Sequence, residues 1–249
     1  VSTQTNGSDG TQQMNAAFNG NNVYQGQWSH TNYLNIIVAR NIGGAAGYTY
    51  LPSNGGVRYN SIFMLQEYVG RIGTGSEYRS RSLTHEVGHW LNLKHTWGDG
   101  NDPGSMSNCN MDDGVTDTPN TVGVQSCNLN EASCGPIANV ENYMDYSYCS
   151  KMFTAGQVSR MRTAITSTVG GRNNLWSASN LANVGADGNL TLCKADFSAD
   201  KKVVCVGSTV RFTDRSYNSV QSRTWSFPGG NASSTTGQVV DVTYNTPGV

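Results

Sequence analysis

The chain has 249 residues, of which 37% are hydrophobic and only 13% charged, about half the usual charged share. Lys and Arg number 16 against 17 Asp and Glu, a net charge of −1, so no basic stripe is available to neutralise phosphates and nucleic acid is not expected as a partner. The longest apolar runs, such as Leu34 to Ala39, fall far short of the ~20 residues of a membrane helix, so no membrane span is expected.

The chain starts at Val1 with no charged n-region or apolar signal core, which reads as a mature form whose targeting segment has been removed. Six cysteines, at 109, 127, 134, 149, 193 and 205, include no CxxC pair and suit disulfides better than a zinc ribbon. With only five Lys besides, the chain is expected to be secreted. After an Asn-, Gly- and Gln-rich beginning, Tyr33 to Ala39 is β-branched and apolar and predicts a strand buried on both faces. Gly43-Gly44 and Pro52 to Gly56 punctuate loops, and Tyr59 to Val69 predicts a second strand. Ser82 to Leu91 reads as a helix, with Leu83, Val87, Trp90 and Leu91 at helical spacing. Residues 98–139 then run without a sustained period and contain three cysteines, the pattern of a functional or stapled loop. Thr154 to Ser167 returns to helix, with Val158, Met161 and Ile165 on one side.

Beyond Leu190 the texture changes to short alternating strands, at Ala195 to Asp200, Val203 to Thr213, Arg223 to Phe227 and Gln238 to Tyr244. They suit a small β-sandwich with Trp225 in its core, but fall short of the ~7 strands of a complete immunoglobulin-like sandwich. The expected organisation is therefore a larger first domain over residues 1–190 and a β-domain over residues 191–249 that is incomplete at its C-terminus.

Three of the four histidines lie within one short stretch, His85-Glu-Val-Gly-His89-Trp-Leu-Asn-Leu-Lys-His95; the fourth, His30, stands alone and reads as a surface residue. Residues four apart share a helix face, so His85 and His89 can present their rings to one cation. Glu86 projects beside them, placed to take a proton from water. Asn92 sits where the helix must stop for His95 to turn back as a third ligand, and Asn tolerates the left-handed conformation such a turn needs. Three protein ligands with one open position are what a catalytic zinc requires. Farther on, Asp112, Asp113 and Asp117 with Gly114 suit a hard cation together with the carbonyls of Met111 and Val115, and on spacing a solvated acidic loop fits equally well. Met144 fits a core gap-filler, and Tyr146 fits either a buried aromatic or a catalytic hydroxyl.

The segment from His85 to His95 resembles the metzincin metallopeptidases, whose pattern is HExxHxxGxxH followed by a Met-turn, with Asn92 here in place of the glycine. Glu141-Asn-Tyr-Met-Asp-Tyr-Ser-Tyr-Cys149 resembles that Met-turn, with Met144 as the hydrophobic floor under the metal. More narrowly, Thr84 to Asp99, Asp112 to Pro119 and Asn142 to Tyr146 resemble the pappalysin family, over roughly residues 30 to 165. The resemblance implies a secreted zinc endopeptidase made as a zymogen, working as a monomer on proteins or peptides, with its removed propeptide as an inhibitor. It implies an α/β (α+β) metzincin fold with an irregular lower subdomain. It further implies Tyr146 near the metal as support for the oxyanion, and calcium at the Asp112–Asp117 loop. For the cysteines, whose pairing the sequence leaves open, it implies a crossed pattern, Cys109 with Cys134 and Cys127 with Cys149, leaving Cys193 and Cys205 for the β-domain.

Some pappalysins prefer Arg after the scissile bond through an acidic residue shortly after the Met-turn. Here Tyr146-Ser-Tyr148 runs into Cys149 without a carboxylate, so a broader or more apolar preference is expected. The strand from Arg58 to Leu65 is expected to be the edge that pairs with an extended substrate. In the second unit, Ala195 to Asp200, Thr224 to Phe227 and Val242 to Gly248 resemble a polycystic-kidney-disease (PKD) domain, a spacer or a binder of polymeric substrate. The competing reading is a catalytically idle scaffold that attaches to matrix or glycan through this unit. The intact Glu86 favours the enzyme, because a scaffold needs no base.

Overall fold

The computed structural model describes residues 14–16, 18–19, 26–188, 195–216 and 220–247. The chain divides into two units, Val1–Asn180 and Leu181–Val249. The first carries a three-stranded sheet of β1 (Asn35–Ala39), β2 (Gly47–Thr49) and β3 (Ser61–Leu65), in the order β1-β3-β2. β1 runs parallel to β3 and β2 antiparallel to it, with Ile37 and Tyr48 both opposite Phe63. Successive side chains of a strand point to opposite faces, and β3 uses both. Phe63 packs with Met14, Phe18, Ile37, Ala39 and Ile42 on one side, and Tyr48 stacks on its ring at 4.8 Å. Ile62 and Met64 face the other way, onto Trp90, Leu83, Val87 and Leu91 of the helix that follows.

That helix, α1 (Ser82–Trp90), has the expected bounds to within a residue and lies over β2 and β3. The expected burial of β1 on both faces is not met: its pattern alternates, and Ile36 and Val38 are about 40% exposed. α1 covers the neighbouring strands and leaves that side of β1 open. The expected strand over Tyr59 to Val69 shrinks to Ser61–Leu65, flanked by 3-10 turns at Val57–Asn60 and Gln66–Tyr68. Nor is the segment from Arg58 to Leu65 an edge. β3 is hydrogen-bonded on both sides; the edges of the sheet are β1 and β2, and no described strand pairs the outer side of either.

Past α1 the chain has no strand or α-helix, only a 3-10 helix at Met106–Asn110, until α2 (Ala155–Thr166). A small cluster of Val124, Ala138 and Val140 is the apolar centre of this lower region, and two interleaved disulfides, Cys109–Cys134 and Cys127–Cys149, hold it. Cross-links that close loops of 25 and 22 residues substitute for a core. Replacing Cys109 and Cys134 together by Ser is expected to lower unfolding free energy by about 3 kcal/mol. A urea melt checks this, and an unchanged midpoint would contradict it. Cys193 lies outside the described residues, and Cys205 is exposed and joined to no described cysteine.

α2 opens with a capping box: Thr154 Oγ1 accepts from the Gln157 backbone N–H at 3.2 Å, and Gln157 Oε1 accepts from that of Thr154 at 2.9 Å. The fully buried Gln157 amide also exchanges hydrogen bonds with Asn142 at 2.8 and 3.2 Å, tying α2 to the segment before Met144. Two short helices follow, α3 (Arg172–Leu175) and α4 (Ala178–Asn183). The Arg172 guanidinium is buried, donates to the Trp90 carbonyl at 3.2 Å and to Asn60 Oδ1 at 2.8 Å, and lies 4.4 Å from the Trp90 ring centre. It fixes the C-terminal end of α1 to the turn before β3.

The second unit contains β4 (Phe197–Ala199), β5 (Thr209–Asp214), β6 (Gly230–Ala232) and β7 (Val239–Tyr244), an antiparallel sheet in the order β4-β5-β7-β6. Val210, Val240 and Val242 are buried, while Phe197, Phe212, Trp225 and Phe227 form an aromatic group. Arg223 to Phe227, expected as a strand, is not one, and Trp225 is only half-buried. Among the described residues of this unit there is one sheet rather than two packed ones. No described helix of the chain is long and apolar enough to cross a membrane.

Candidate active site

The site is built on the end of α1. The helix closes with a Schellman motif: Leu93 N–H donates to the Gly88 carbonyl and Asn92 N–H to that of His89, both at 2.9 Å. This requires a left-handed residue, and Asn92, at φ 73°, is the non-glycine residue with positive φ among those described. The turn sends the chain back so that His95 rejoins His85 and His89. Nε2 of His89 lies 3.0 Å from that of His85 and 3.1 Å from that of His95.

What aims the three rings is the backbone. Nδ1 of His85 lies 2.6 Å from the Tyr143 carbonyl, that of His89 2.7 Å from Leu93, and that of His95 2.8 Å from Gly100. An Nδ1–H bonded to a carbonyl fixes the tautomer and leaves each Nε2 lone pair facing the shared point. His95 also stacks on the fully buried Trp97 at 4.3 Å. Burial holds the rings neutral, the form that binds metal: it lowers His89, lowers His85 well below the usual range, and with the neighbouring His89 pushes His95 down to about 3. Among the described residues, this triad is the cluster of His, Cys, Asp or Glu able to hold one metal ion.

Glu86 lies beside the triad, 6% exposed, and burial pushes its carboxyl up to about 8. β2 passes directly over it: a Cβ on Gly47 would come 2.9 Å from Glu86 Cγ and 2.7 Å from Met64 Sδ. Only glycine lets the free edge come this close. Together, β2, the start of α1, and residues 146–150 wall a cavity of about 710 Å³ that contains all three histidines and Glu86. A smaller cavity of about 150 Å³ adjoins His89 and His95 on the side of Lys94 and Asp99.

Met144 is fully buried, its sulfur directly against Gly88 of α1. Two residues on, the Tyr146 ring packs 5.5 Å from His85, 5.0 Å from His95 and 4.8 Å from Trp97, with its hydroxyl 3.5 Å from Asn101 Oδ1. Burial, and secondarily Glu86, pushes that hydroxyl up to about 12, so it stays a donor. Between them, Asp145 is buried and accepts from the backbone N–H groups of Val124 and Tyr146, each at 2.7 Å, and from Thr96 Oγ1 at 3.2 Å. Asp145→Ala leaves these donors unpaired and is expected to cost about 3 kcal/mol, with Asp145→Asn losing less because it keeps one acceptor. Urea melts of both variants check this, and equal losses would contradict it.

The acidic loop is arranged differently from the triad. Asp113 Oδ1 accepts from Val115 N–H at 2.9 Å and Thr118 Oγ1 at 2.7 Å, while its Oδ2 is buried without a hydrogen-bond partner. Asp112 accepts from Gly114 N–H. Asp117 faces the start of α2, accepting from Thr154 Oγ1 at 2.7 Å and Gly156 N–H at 2.8 Å. The three carboxylates therefore do not converge on one point. Met111 is exposed, and the Val115 carbonyl lies 2.6 Å from Thr118 Oγ1, sharing its one hydroxyl proton with Asp113.

Gly47, Trp97 and Asp145 are contributors that the sequence reading passed over. Asp145 lies within the Asn142 to Tyr146 segment, and Trp97 within Thr84 to Asp99, both of which carry the family resemblance. Gly47 had no signal beyond being a glycine.

Three neutral imidazoles converge in a cleft, with a buried carboxyl beside them and a strand edge above, an arrangement suited to a metallopeptidase. Comparison with known proteins agrees: the family model Peptidase_M43, described as pregnancy-associated plasma protein-A, matches residues 17–166. The chain belongs to this family, the pappalysins. It is 36% identical over 140 residues to extracellular metalloprotease 1 of Coccidioides posadasii, covering 51% of this chain and 48% of that protein. It is 38% identical over 140 residues to an extracellular metalloprotease of Colletotrichum graminicola, covering 51% and 47%. With that of Uncinocarpus reesii it shares 34% identity over 142 residues, covering 52% and 47%. The chain thus spans about half the length of the curated relatives it matches.

Proposed function

We propose that this chain is a secreted zinc endopeptidase that hydrolyses peptide bonds in proteins, with His85, His89 and His95 as zinc ligands and Glu86 as general base. The observation that carries the reading is the convergence of three Nε2 atoms within 3.0–3.1 Å steps, each ring held by a backbone carbonyl. This donor set fits a catalytic zinc with an open fourth position. When bound there, zinc supplies a Lewis acid for the scissile carbonyl and lowers the pKa of water toward about 7.

The chain's own residues do the rest. Glu86 takes a proton from the attacking water and delivers it to the leaving amine. The Tyr146 hydroxyl, held protonated, donates to the oxyanion as it forms. The free edge of β2 pairs with the extended substrate over the cleft, and Met144 supports the base of α1 from below. Secretion is supported by the relatives named as extracellular and by the paired cysteines. The zymogen, the inhibitory propeptide and the monomeric state belong to the same reading.

Calcium is proposed at the acidic loop, because a buried carboxylate oxygen without a partner, Asp113 Oδ2, is what a hard cation would complete. Asp112 and the carbonyls of Met111 and Val115 stand nearest in sequence to share it, while Asp117 anchors the loop to α2. The Leu181–Val249 unit is proposed to be a PKD-like module that acts as a spacer or holds polymeric substrate.

The test is digestion of a denatured protein mixture with the zinc-loaded protein, every new terminus identified by mass spectrometry. New termini that vanish under a chelator are the expected result. None, or termini that form equally well with the chelator, would overturn the reading.

A further inference from the structure

The large cavity is lined by two guanidinium groups, Arg79 and Arg81, and by two carboxyl groups, Glu86 and Asp145. Glu86 serves as the base. Asp145 is spent on Val124, Tyr146 and Thr96. Arg79 is committed as well: its Nη1 lies 2.7 Å from Glu67 Oε2 and its guanidinium sits 5.2 Å from the centre of the Tyr68 ring. Arg81 is different. It donates from Nη1 to the Tyr148 carbonyl at 2.9 Å, and its nearest carboxylate, Glu77, is 3.7 Å from Nη2, past hydrogen-bond distance, and 67% exposed. A guanidinium carries five N–H donors in a fixed fork. Among the described residues, Nε and Nη2 of Arg81 have no hydrogen-bond acceptor.

The position of Arg81 matters as much as its spare donors. It stands one residue before α1, a helical turn ahead of His85 in the chain, and its bond to Tyr148 closes the cavity wall between the start of α1 and the segment just past Tyr146. Its side chain is 27% exposed, partly shielded from water, where a charge-assisted pair gains strength. Tyr78 and Tyr148, each more than half exposed, also line the cavity.

We propose that Arg81 makes this cavity a subsite for an acidic side chain, so that the enzyme favours Asp or Glu at one position flanking the scissile bond. The inference rests on the peptidase reading and departs from the sequence expectation of a broader or more apolar preference. The fork of Arg81 matches a carboxylate bidentately, and the same charge repels the Lys and Arg side chains that a carboxylate subsite would select.

Terminus mapping after digestion of a denatured protein mixture tests this with wild type, Arg81→Glu and Arg81→Gln, the last keeping an amide donor for the Tyr148 carbonyl. The expected result is one flanking position enriched in Asp and Glu, flattened by Arg81→Gln and inverted toward Lys and Arg by Arg81→Glu. A wild-type profile without acidic enrichment, or enrichment unchanged in both variants, overturns it. A binding measurement separates this from the peptidase reading: glutamate-scanned peptides and their glutamine counterparts are titrated onto the zinc-loaded Glu86→Ala protein. At one position Glu should bind about tenfold tighter than Gln, with the gap closed by adding Arg81→Gln. Equal affinities at every position overturn the subsite. Charge-selective binding in a protein whose wild type cuts nothing would instead sink the peptidase reading and leave the subsite standing.

Discussion

Glu86→Ala is expected to keep one zinc ion per chain while kcat/KM falls by about 10²–10⁴-fold, the usual worth of a positioned general base. Retention follows from geometry, because the proposed ligands are the three Nε2 atoms and their aim is set by the carbonyls of Tyr143, Leu93 and Gly100, none of which the substitution touches. The loss follows because no other carboxyl in the cavity is free to replace Glu86: Asp145 is bound up in the Met144 turn. The pH profile carries the same signature. A base must be ionised, so the rate rises with pH as Glu86 loses its proton. Burial alone pushes that carboxyl up to about 8, and a bound dication favours the ionised form, which places the acidic limb below that value. A variant that cuts at the wild-type rate, or a limb that rises toward acid, would contradict the assignment. Loss of zinc from the variant would mean that Glu86 holds the site together instead.

Gly88→Ala is the second large effect, reached without removing any group that touches substrate. The new methyl would overlap Met144 Sδ and press to 3.4 Å from Phe153 Cε1. Met144 is fully buried and cannot retreat into solvent, so α1 must shift away from it, a typical overpacking cost of about 1–3 kcal/mol. Because Gly88 sits directly before His89 and its carbonyl accepts the Leu93 bond of the helix end, the shift moves two of the three imidazoles. Zinc affinity should fall together with stability. Met144→Ala makes room for the methyl, so the double variant should be less destabilised than the sum of the two singles. Strict additivity in urea melts would show that the two residues are not in the contact described.

How far the sequence revealed this site depends on what kind of group does each job. The proposed ligands and base are side chains at fixed offsets from one helix, and even the break at Asn92 was legible, because a left-handed residue restricts which amino acids fit. The groups that aim the rings were not, since these acceptors are backbone carbonyls of Tyr143, Leu93 and Gly100, and a carbonyl leaves no mark in the sequence. The free edge was misplaced for a related reason. β3 has the stronger local signal, five residues with four of them buried, and that burial is what makes it central. β2 is only three residues long, begins with a glycine, and exists because β3 offers it a partner. In the second unit the alternation around Trp225 suggested a strand, yet this segment is held by its aromatic packing and a bond from Trp225 N–H to the Thr235 carbonyl at 2.9 Å rather than by a ladder. The crossed disulfides followed from likeness to a family; nothing in the spacing of the cysteines selects them.

The most direct test of the account is a zinc titration of the metal-free protein with peptide hydrolysis as the readout, carried out on wild type and His95→Ala. Hydrolysis by the wild type should rise in proportion to added zinc and level off at one equivalent, while the variant, left with two ligands, stays flat over the same range. Hydrolysis before any zinc is added, or an equal rise in the variant, would contradict the claim that these three histidines hold the catalytic metal.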